Sequence, residues 1–169
     1  MNRKLIGGAV AALIVVAGVY GGTVRATPVT PPGSFVGTTI AKATYGRLHL
    51  KAHQQMPSPW MAYLKTKGQT DVYVQSNVWQ PGGSTGWHTH PGPSLIIVTA
   101  GAVTEYRGDD NTCRRHVYTA GQGFVDPGGS HIHMIRNEGT VEADTVAVQF
   151  IPAGGVRRID EPAPPNCPS

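Results

Sequence analysis

Four histidines form two His-x-His pairs, His88-Thr89-His90 and His131-Ile132-His133, and they are the side chains of this sequence best suited to metal chemistry. In an extended strand, residues i and i+2 point to the same face. Each pair can therefore direct two imidazoles toward one point. Imidazole nitrogens bind transition metals. The sequence predicts a divalent-metal site, with Zn, Fe, Ni, Mn and Cu as the candidate ions.

Turn residues frame both pairs, and short strand-like runs separate them. Gly82, Gly83 and Gly86 precede the first pair, and Gly128-Gly129 precede the second. Runs of alternating or fully apolar residues lie between turns, as at 71–80, 94–99 and 141–151. With 22 glycines and 14 prolines, this pattern is typical of an all-β sandwich or barrel. Residues 60–64 fit either a helical turn or a strand.

The first pair lies in a longer motif with the spacing G-x5-H-x-H-x3-S-x6-G, from Gly82 through Ser94 to Gly101. The second pair lies in a motif that contains Gly121, Pro127-Gly128-Gly129, His133 and Asn137. In this order the two motifs resemble those of the cupin superfamily, over residues 71–151, and the chain is similar to small secreted single-domain bacterial cupins (the cupin_2-like type). It departs from the family pattern at Ser94, where a glutamate is usual, and by one extra residue before His133.

The resemblance implies an all-β, cupin-type jelly-roll barrel (a double-stranded β-helix) whose metal ligands are His88, His90 and His133. The usual glutamate ligand is absent, because a serine hydroxyl is a poor ligand for a divalent ion. His131 lies two residues before His133, so both side chains point the same way if the segment is extended. It could complete a four-imidazole site, or it could lie near the rim of a three-histidine site with an open position.

The first 26 residues are predicted to be a signal peptide or a membrane anchor. A basic start, Met1 to Lys4, precedes an apolar stretch from Leu5 to Val19, and small residues follow around Ala26. Either reading places the globular part outside the cytoplasm, with the membrane as a partner only through an uncleaved N-terminal segment. Without this segment the net charge falls from +4 to +1. The remainder has no basic stripe of the kind that binds nucleic acid.

Three further parts complete the predicted organisation: an extended linker at 27–34, the barrel at 35–154, and a proline-rich C-terminal tail without strand character at 155–169. In an exported protein the two cysteines, Cys113 and Cys167, are expected to form a disulfide. This bond would tie the tail to the loop at 109–113.

Three functions are compatible with these features. The chain could be a metalloenzyme that acts on a small molecule, a non-catalytic protein that binds a small molecule or metal, or a cell-envelope protein with a vestigial site. No general acid or base is evident beside the histidines, and Asp126 is interpreted as a turn former. His49 and His53 are interpreted as surface residues, Trp79 and Trp87 as packing residues, and Tyr106 and Gln149 as neighbours of the ligands. Exposed sheet edges also permit a homodimer.

Overall fold

A computed structural model describes residues 26–57 and 59–167. The predicted signal peptide or anchor, residues 1–26, lies outside this range except for Ala26. The described residues contain strands and no helix, so no helix among them could cross a membrane.

The described chain folds into twelve strands. In chain order they are β1 (Phe35–Tyr45), β2 (His49–Gln54), β3 (Trp60–Lys65), β4 (Thr70–Trp79), β5 (His88–Thr89), β6 (Ser94–Ala100), β7 (Ala102–Arg107), β8 (Arg115–Thr119), β9 (Gly123–Asp126), β10 (His133–Arg136), β11 (Ala143–Pro152) and β12 (Ile159–Asp160).

Ten of these strands form two five-stranded antiparallel sheets, which make the predicted jelly-roll barrel. The strand orders are β1-β4-β11-β6-β9 and β12-β5-β10-β7-β8. Side chains of both sheets meet in one core, which includes Trp79, Val98 and Phe124 from the first sheet and Val103 and Ile135 from the second. Strand β11 shows why: its residues alternate between buried and half-buried, as the period of two requires.

A second apolar cluster lies on the other face of the second sheet. On β10, Ile135 belongs to the core between the sheets, so its neighbour Met134 points to the opposite face. There Met134 packs with Trp87, Tyr106 and Cys113. Cys167 packs against this cluster and forms a disulfide with Cys113. The C-terminal tail therefore covers apolar surface that the sheet would otherwise leave in water.

The tail is more ordered than its composition indicates. Ile159 and Asp160 form β12, which pairs with Thr89 and His88 of β5. The prediction that residues 155–169 have no strand character is therefore wrong for Ile159 and Asp160. A two-residue strand needs no hydrophobic period, because the unpaired edge of β5 supplies its hydrogen-bond partners.

Two segments lie outside the two five-stranded sheets: the predicted linker, residues 27–34, and the β2–β3 hairpin. Residues 27–34, the predicted linker, contact the barrel, since Thr30 forms a β-bridge with Ser84 and Thr27 N–H donates to the Glu161 carbonyl at 2.9 Å. Residues 60–64 are extended and lie in β3, which forms a separate hairpin with β2. This hairpin is exposed along most of its length, including His49 and His53.

Candidate metal centre

Three of the predicted histidines converge at one end of the barrel. His88 on β5 is the direct cross-strand partner of His133 on β10, and His90 follows β5 immediately. The ring centroids are 4.3 Å apart for His88 and His133, 4.8 Å for His88 and His90, and 5.4 Å for His90 and His133. One nitrogen from each ring lies within 4.8 Å of the others. We call His88, His90 and His133 the histidine trio.

Backbone carbonyls fix the orientation of all three rings. The Nδ1–H group of His88 donates to the Gly86 carbonyl at 2.9 Å, and that of His90 donates to the Arg157 carbonyl at 2.5 Å. His133 Nδ1 lies 3.4 Å from the His131 carbonyl. Because a carbonyl can only accept, each Nδ1 carries the proton and each Nε2 retains a lone pair. This is the tautomer in which histidine binds a metal through Nε2.

Burial keeps these imidazoles neutral. It lowers the pKa of His133 to about 3, with the neighbouring His90 and His131 adding to the effect. Burial also lowers the pKa of His90, and it lowers that of His88 well below the usual range. Neutral imidazoles are the protonation state that a metal requires.

Asp126 is an additional member of the site that the sequence interpretation did not include. Its side chain is 1% exposed. Oδ1 accepts a hydrogen bond from the Gly128 N–H group at 2.9 Å, which is the predicted turn-forming role. Oδ2 has no hydrogen-bond partner among the described residues and lies 3.9 Å from His90 Nε2. Burial raises the pKa of this carboxyl. The sequence holds one signal for this placement. Phe124 and Asp126 are two residues apart in β9, so the aspartate side chain lies on the same buried face as the phenylalanine.

His131 occupies a different environment from that of His133. The two rings are 5.6 Å apart. His131 Nδ1 lies 2.6 Å from Asp109 Oδ2, and its buried Nε2 has no hydrogen-bond partner in the part of the chain that the structure describes. His131, His133 and Asp126 form a second group of potential ligands that shares His133 with the trio.

A cavity of about 240 Å³ opens beside the histidine trio. His131 does not line it. The walls combine the trio with apolar side chains, polar amides and two arginines: Phe35, Trp79, Ile96, Phe124, Ile135, Ala147, Gln75, Asn77, Gln149, Thr85, Ser94, Asp126, Thr145, Arg157 and Arg158. A mostly apolar cavity with a few convergent polar groups is typical of a small-molecule site.

Arg157 is the least expected member of this wall, because it comes from the C-terminal tail. Its guanidinium donates to neutral oxygens: to Gln149 at 3.0 and 2.6 Å, to Thr39 at 2.7 Å, and to Gln75. It also lies over the Tyr73 ring, 4.2 Å from the centroid. No carboxylate among the described residues pairs with it. Burial lowers its pKa.

The two residues predicted as neighbours of the ligands separate in the structure. Gln149 lines the cavity and binds Arg157. The Tyr106 hydroxyl instead donates to Glu138 at 2.6 Å, and its ring belongs to the cluster on the opposite face of the second sheet. Trp79 and Trp87 are buried, and Trp79 also lines the cavity.

Fold and site together define a β-barrel protein with a histidine-rich candidate metal centre beside a cavity that both sheets line. The model of the family described as "Cupin domain" matches residues 77–149, which contain all four histidines of the two pairs. This match and the two-sheet barrel support membership of the cupin superfamily.

Solved structures that are similar to this chain include an oxalate oxidase and a polyketide cyclase. A recombinant oxalate oxidase in complex with glycolate is 21% identical, with 78% of this chain and 57% of that chain covered and a TM-score of 0.51. The polyketide cyclase RemF from Streptomyces resistomycificus is 20% identical, with 56% and 65% covered and a TM-score of 0.45. The chain thus spans less than two thirds of the length of either protein. No curated protein matches it.

Proposed function

We propose that this protein is an exported cupin that binds a transition-metal ion at the histidine trio and a small organic anion in the adjoining cavity. One observation carries the proposal: three neutral imidazoles, each with one nitrogen within 4.8 Å of a nitrogen of the others, lie at the wall of a 240 Å³ cavity. The donor set fits a borderline ion such as Zn, Fe, Ni or Cu better than Mn, Mg or Ca, which prefer oxygen ligands.

When bound, such an ion would supply a Lewis-acidic centre at the cavity wall. The protein's own contribution is to hold the ligands and the organic molecule. Hydrogen bonds from Nδ1 to backbone carbonyls fix the three rings, so little side-chain freedom is lost when the ion binds. The apolar part of the wall, including Trp79 and Phe124, excludes water and lowers the local dielectric.

An anion is the ligand class that the charges of the cavity favour. Arg157 makes four hydrogen bonds to neutral acceptors, so one of its five N–H groups remains free. Its positive charge is not balanced by a carboxylate among the described residues. A carboxylate ligand would form an ion pair and a hydrogen bond with Arg157 in a partly buried site, where both interactions are stronger than in water.

The disulfide between Cys113 and Cys167 is compatible with a location outside the cytoplasm. It supports export, together with the signal-like composition of the first 26 residues. The test of export is N-terminal sequencing of the protein recovered from the extracytoplasmic fraction. Recovery of the whole protein from the cytoplasm would contradict it.

Metal content tests the first half of the proposal. The mature protein is loaded separately with Zn, Fe, Ni, Mn and Cu, dialysed, and analysed by mass spectrometry. We expect about one ion per chain in the wild type and in His49→Ala, whose exposed imidazole lies on the β2–β3 hairpin, and none in His88→Ala. A wild type that retains no ion would contradict metal binding at the histidine trio.

Calorimetry with lactate and its neutral isostere lactamide tests the second half. We expect the Zn²⁺-loaded protein to bind lactate more tightly than lactamide, and Arg157→Gln to remove this difference. Arg47→Gln is the matched control, because Arg47 is exposed and donates to the Lys67 carbonyl at 3.1 Å, away from the cavity. Equal affinity of the wild type for the two molecules would contradict an anion site.

A further inference from the structure

We infer that Asp126 supplies the carboxylate ligand that Ser94 lacks, from the neighbouring strand. The metal centre would then consist of His88, His90, His133 and Asp126. This inference rests on the proposed metal binding at the histidine trio and extends it with a residue outside the motif positions on which the trio was predicted.

The strand register places the two residues side by side. Ser94 on β6 is the direct partner of Asp126 on β9, and Ile96 is the direct partner of Phe124. Side chains at directly opposed positions share a face, with Cβ atoms about 4.5–5.5 Å apart. All four residues line the cavity. A carboxylate at position 126 therefore enters the same end of the barrel as one at position 94, displaced by one strand.

The distance between Asp126 and His90 allows these two side chains to bind one ion. Asp126 Oδ2 is 3.9 Å from His90 Nε2. Zinc–nitrogen bonds are about 2.0–2.1 Å and zinc–oxygen bonds about 2.0–2.2 Å, so two ligand atoms of one ion lie at most about 4.3 Å apart. The other oxygen is already engaged by the Gly128 N–H group, which fixes the carboxylate plane.

The chemistry of the facing atoms calls for a cation between them. His90 Nδ1 carries the ring proton, since it donates to the Arg157 carbonyl. Its Nε2 therefore presents a lone pair toward Asp126 Oδ2. Both atoms are hydrogen-bond acceptors, and no hydrogen lies between them. A buried carboxylate oxygen without a partner is costly unless it is paired or coordinates a metal. Asp126 Oδ2 is such an oxygen, and a bound ion would satisfy it and the imidazole together.

Titration calorimetry with Zn²⁺ alone gives the first test. We expect Asp126→Asn to bind Zn²⁺ at least about tenfold more weakly than the wild type, since even outer partners of a metal site typically contribute 10–100-fold. Asp144→Asn is the matched control. Asp144 is a half-buried aspartate with one unpartnered oxygen, outside both groups of potential ligands. In the double variant Ser94→Glu with Asp126→Asn, we expect affinity to recover, because the glutamate enters from the partner strand.

Cobalt spectroscopy gives a second test that does not depend on a loss of affinity. A thiolate bound to Co²⁺ produces an intense near-ultraviolet charge-transfer band. We expect this band in Asp126→Cys loaded with Co²⁺ and not in Asp144→Cys. Wild-type Zn²⁺ affinity in Asp126→Asn, or Co²⁺ binding without the band in Asp126→Cys, would overturn the inference and leave the histidine trio intact. A wild type that binds neither ion would instead overturn the proposed function itself.

Discussion

Two aspartates are each only 1% exposed, yet they lie in opposite environments. Asp71, on β4, is surrounded by donors: Lys42 Nζ at 2.8 Å, the Thr44 hydroxyl at 2.6 Å and the Gly154 N–H group at 3.0 Å. Asp126, on β9, has one donor for Oδ1 and, within residues 26–57 and 59–167, none for Oδ2. The first carboxylate is satisfied by the fold, and the second is not.

The pKa values shift in opposite directions for the same reason. The ammonium of Lys42 and the Thr44 hydroxyl hold the pKa of Asp71 well below its usual range. Burial without a cationic partner raises the pKa of Asp126. Burial alone therefore does not distinguish a structural carboxylate from a site carboxylate. The count of donors around it does, because an unsatisfied buried charge is stable only with a ligand.

The largest expected difference between the Asp126 region and the Asp71 region is in the stability that Zn²⁺ confers. At a Zn²⁺ concentration of about 100 times its dissociation constant, the wild type should gain about 2.7 kcal/mol of stability, because the ion binds the folded state. We expect His133→Ala to lose this gain and Asp71→Asn to keep it. Differential scanning calorimetry with and without Zn²⁺ measures both. An equal gain in His133→Ala would place the ion elsewhere.

In the metal-free protein the two aspartates should respond to the same substitution with opposite signs. Asp71→Asn should lower the unfolding midpoint, because Lys42 loses its partner and the amide cannot accept all three hydrogen bonds. Asp126→Asn should leave the midpoint unchanged or raise it, since the amide keeps the turn and removes an unpaired charge. Thermal unfolding in the presence of a chelator measures the midpoints. A comparable loss in both variants would remove the distinction.

Acid should act on the Asp71 region in a defined window. A carboxyl whose pKa is lower in the folded than in the unfolded state contributes stability above its ordinary pKa of about 3.9 and loses it as the pH falls further. The free energy of unfolding of the wild type should therefore fall more steeply below about pH 4 than that of Asp71→Asn. Urea titrations between pH 5 and pH 3 measure the slopes. Parallel slopes would show that Asp71 does not couple to protons.

The smallest effect is expected within the second histidine pair. His131→Ala should weaken Zn²⁺ binding by about tenfold, as for an outer partner, and less than His133→Ala, because His131 does not line the cavity. Calorimetry of the two variants gives the ratio. An equal loss in both would instead support four imidazoles around one ion.

Much of the fold was accessible from local pattern. Alternation at 71–80 and 141–151, with glycine and proline between apolar runs, predicts the strands β4 and β11 and the all-β class. The spacing of His88 and His90 predicts that they act together, because it depends only on the period of an extended chain. The two-residue strand β12 was not predictable, because it has no period of its own and forms only where β5 offers an edge.

The amino-acid sequence by itself determined the all-β class and the histidines that could bind a metal, since both follow from residue types at short, fixed spacings. Tertiary structure decided which other groups join them. Asp126 faces the trio because β9 pairs with β6 in one register, and Arg157 reaches the cavity because the tail closes over β5. Both depend on contacts between residues far apart in the chain, which local periodicity does not specify.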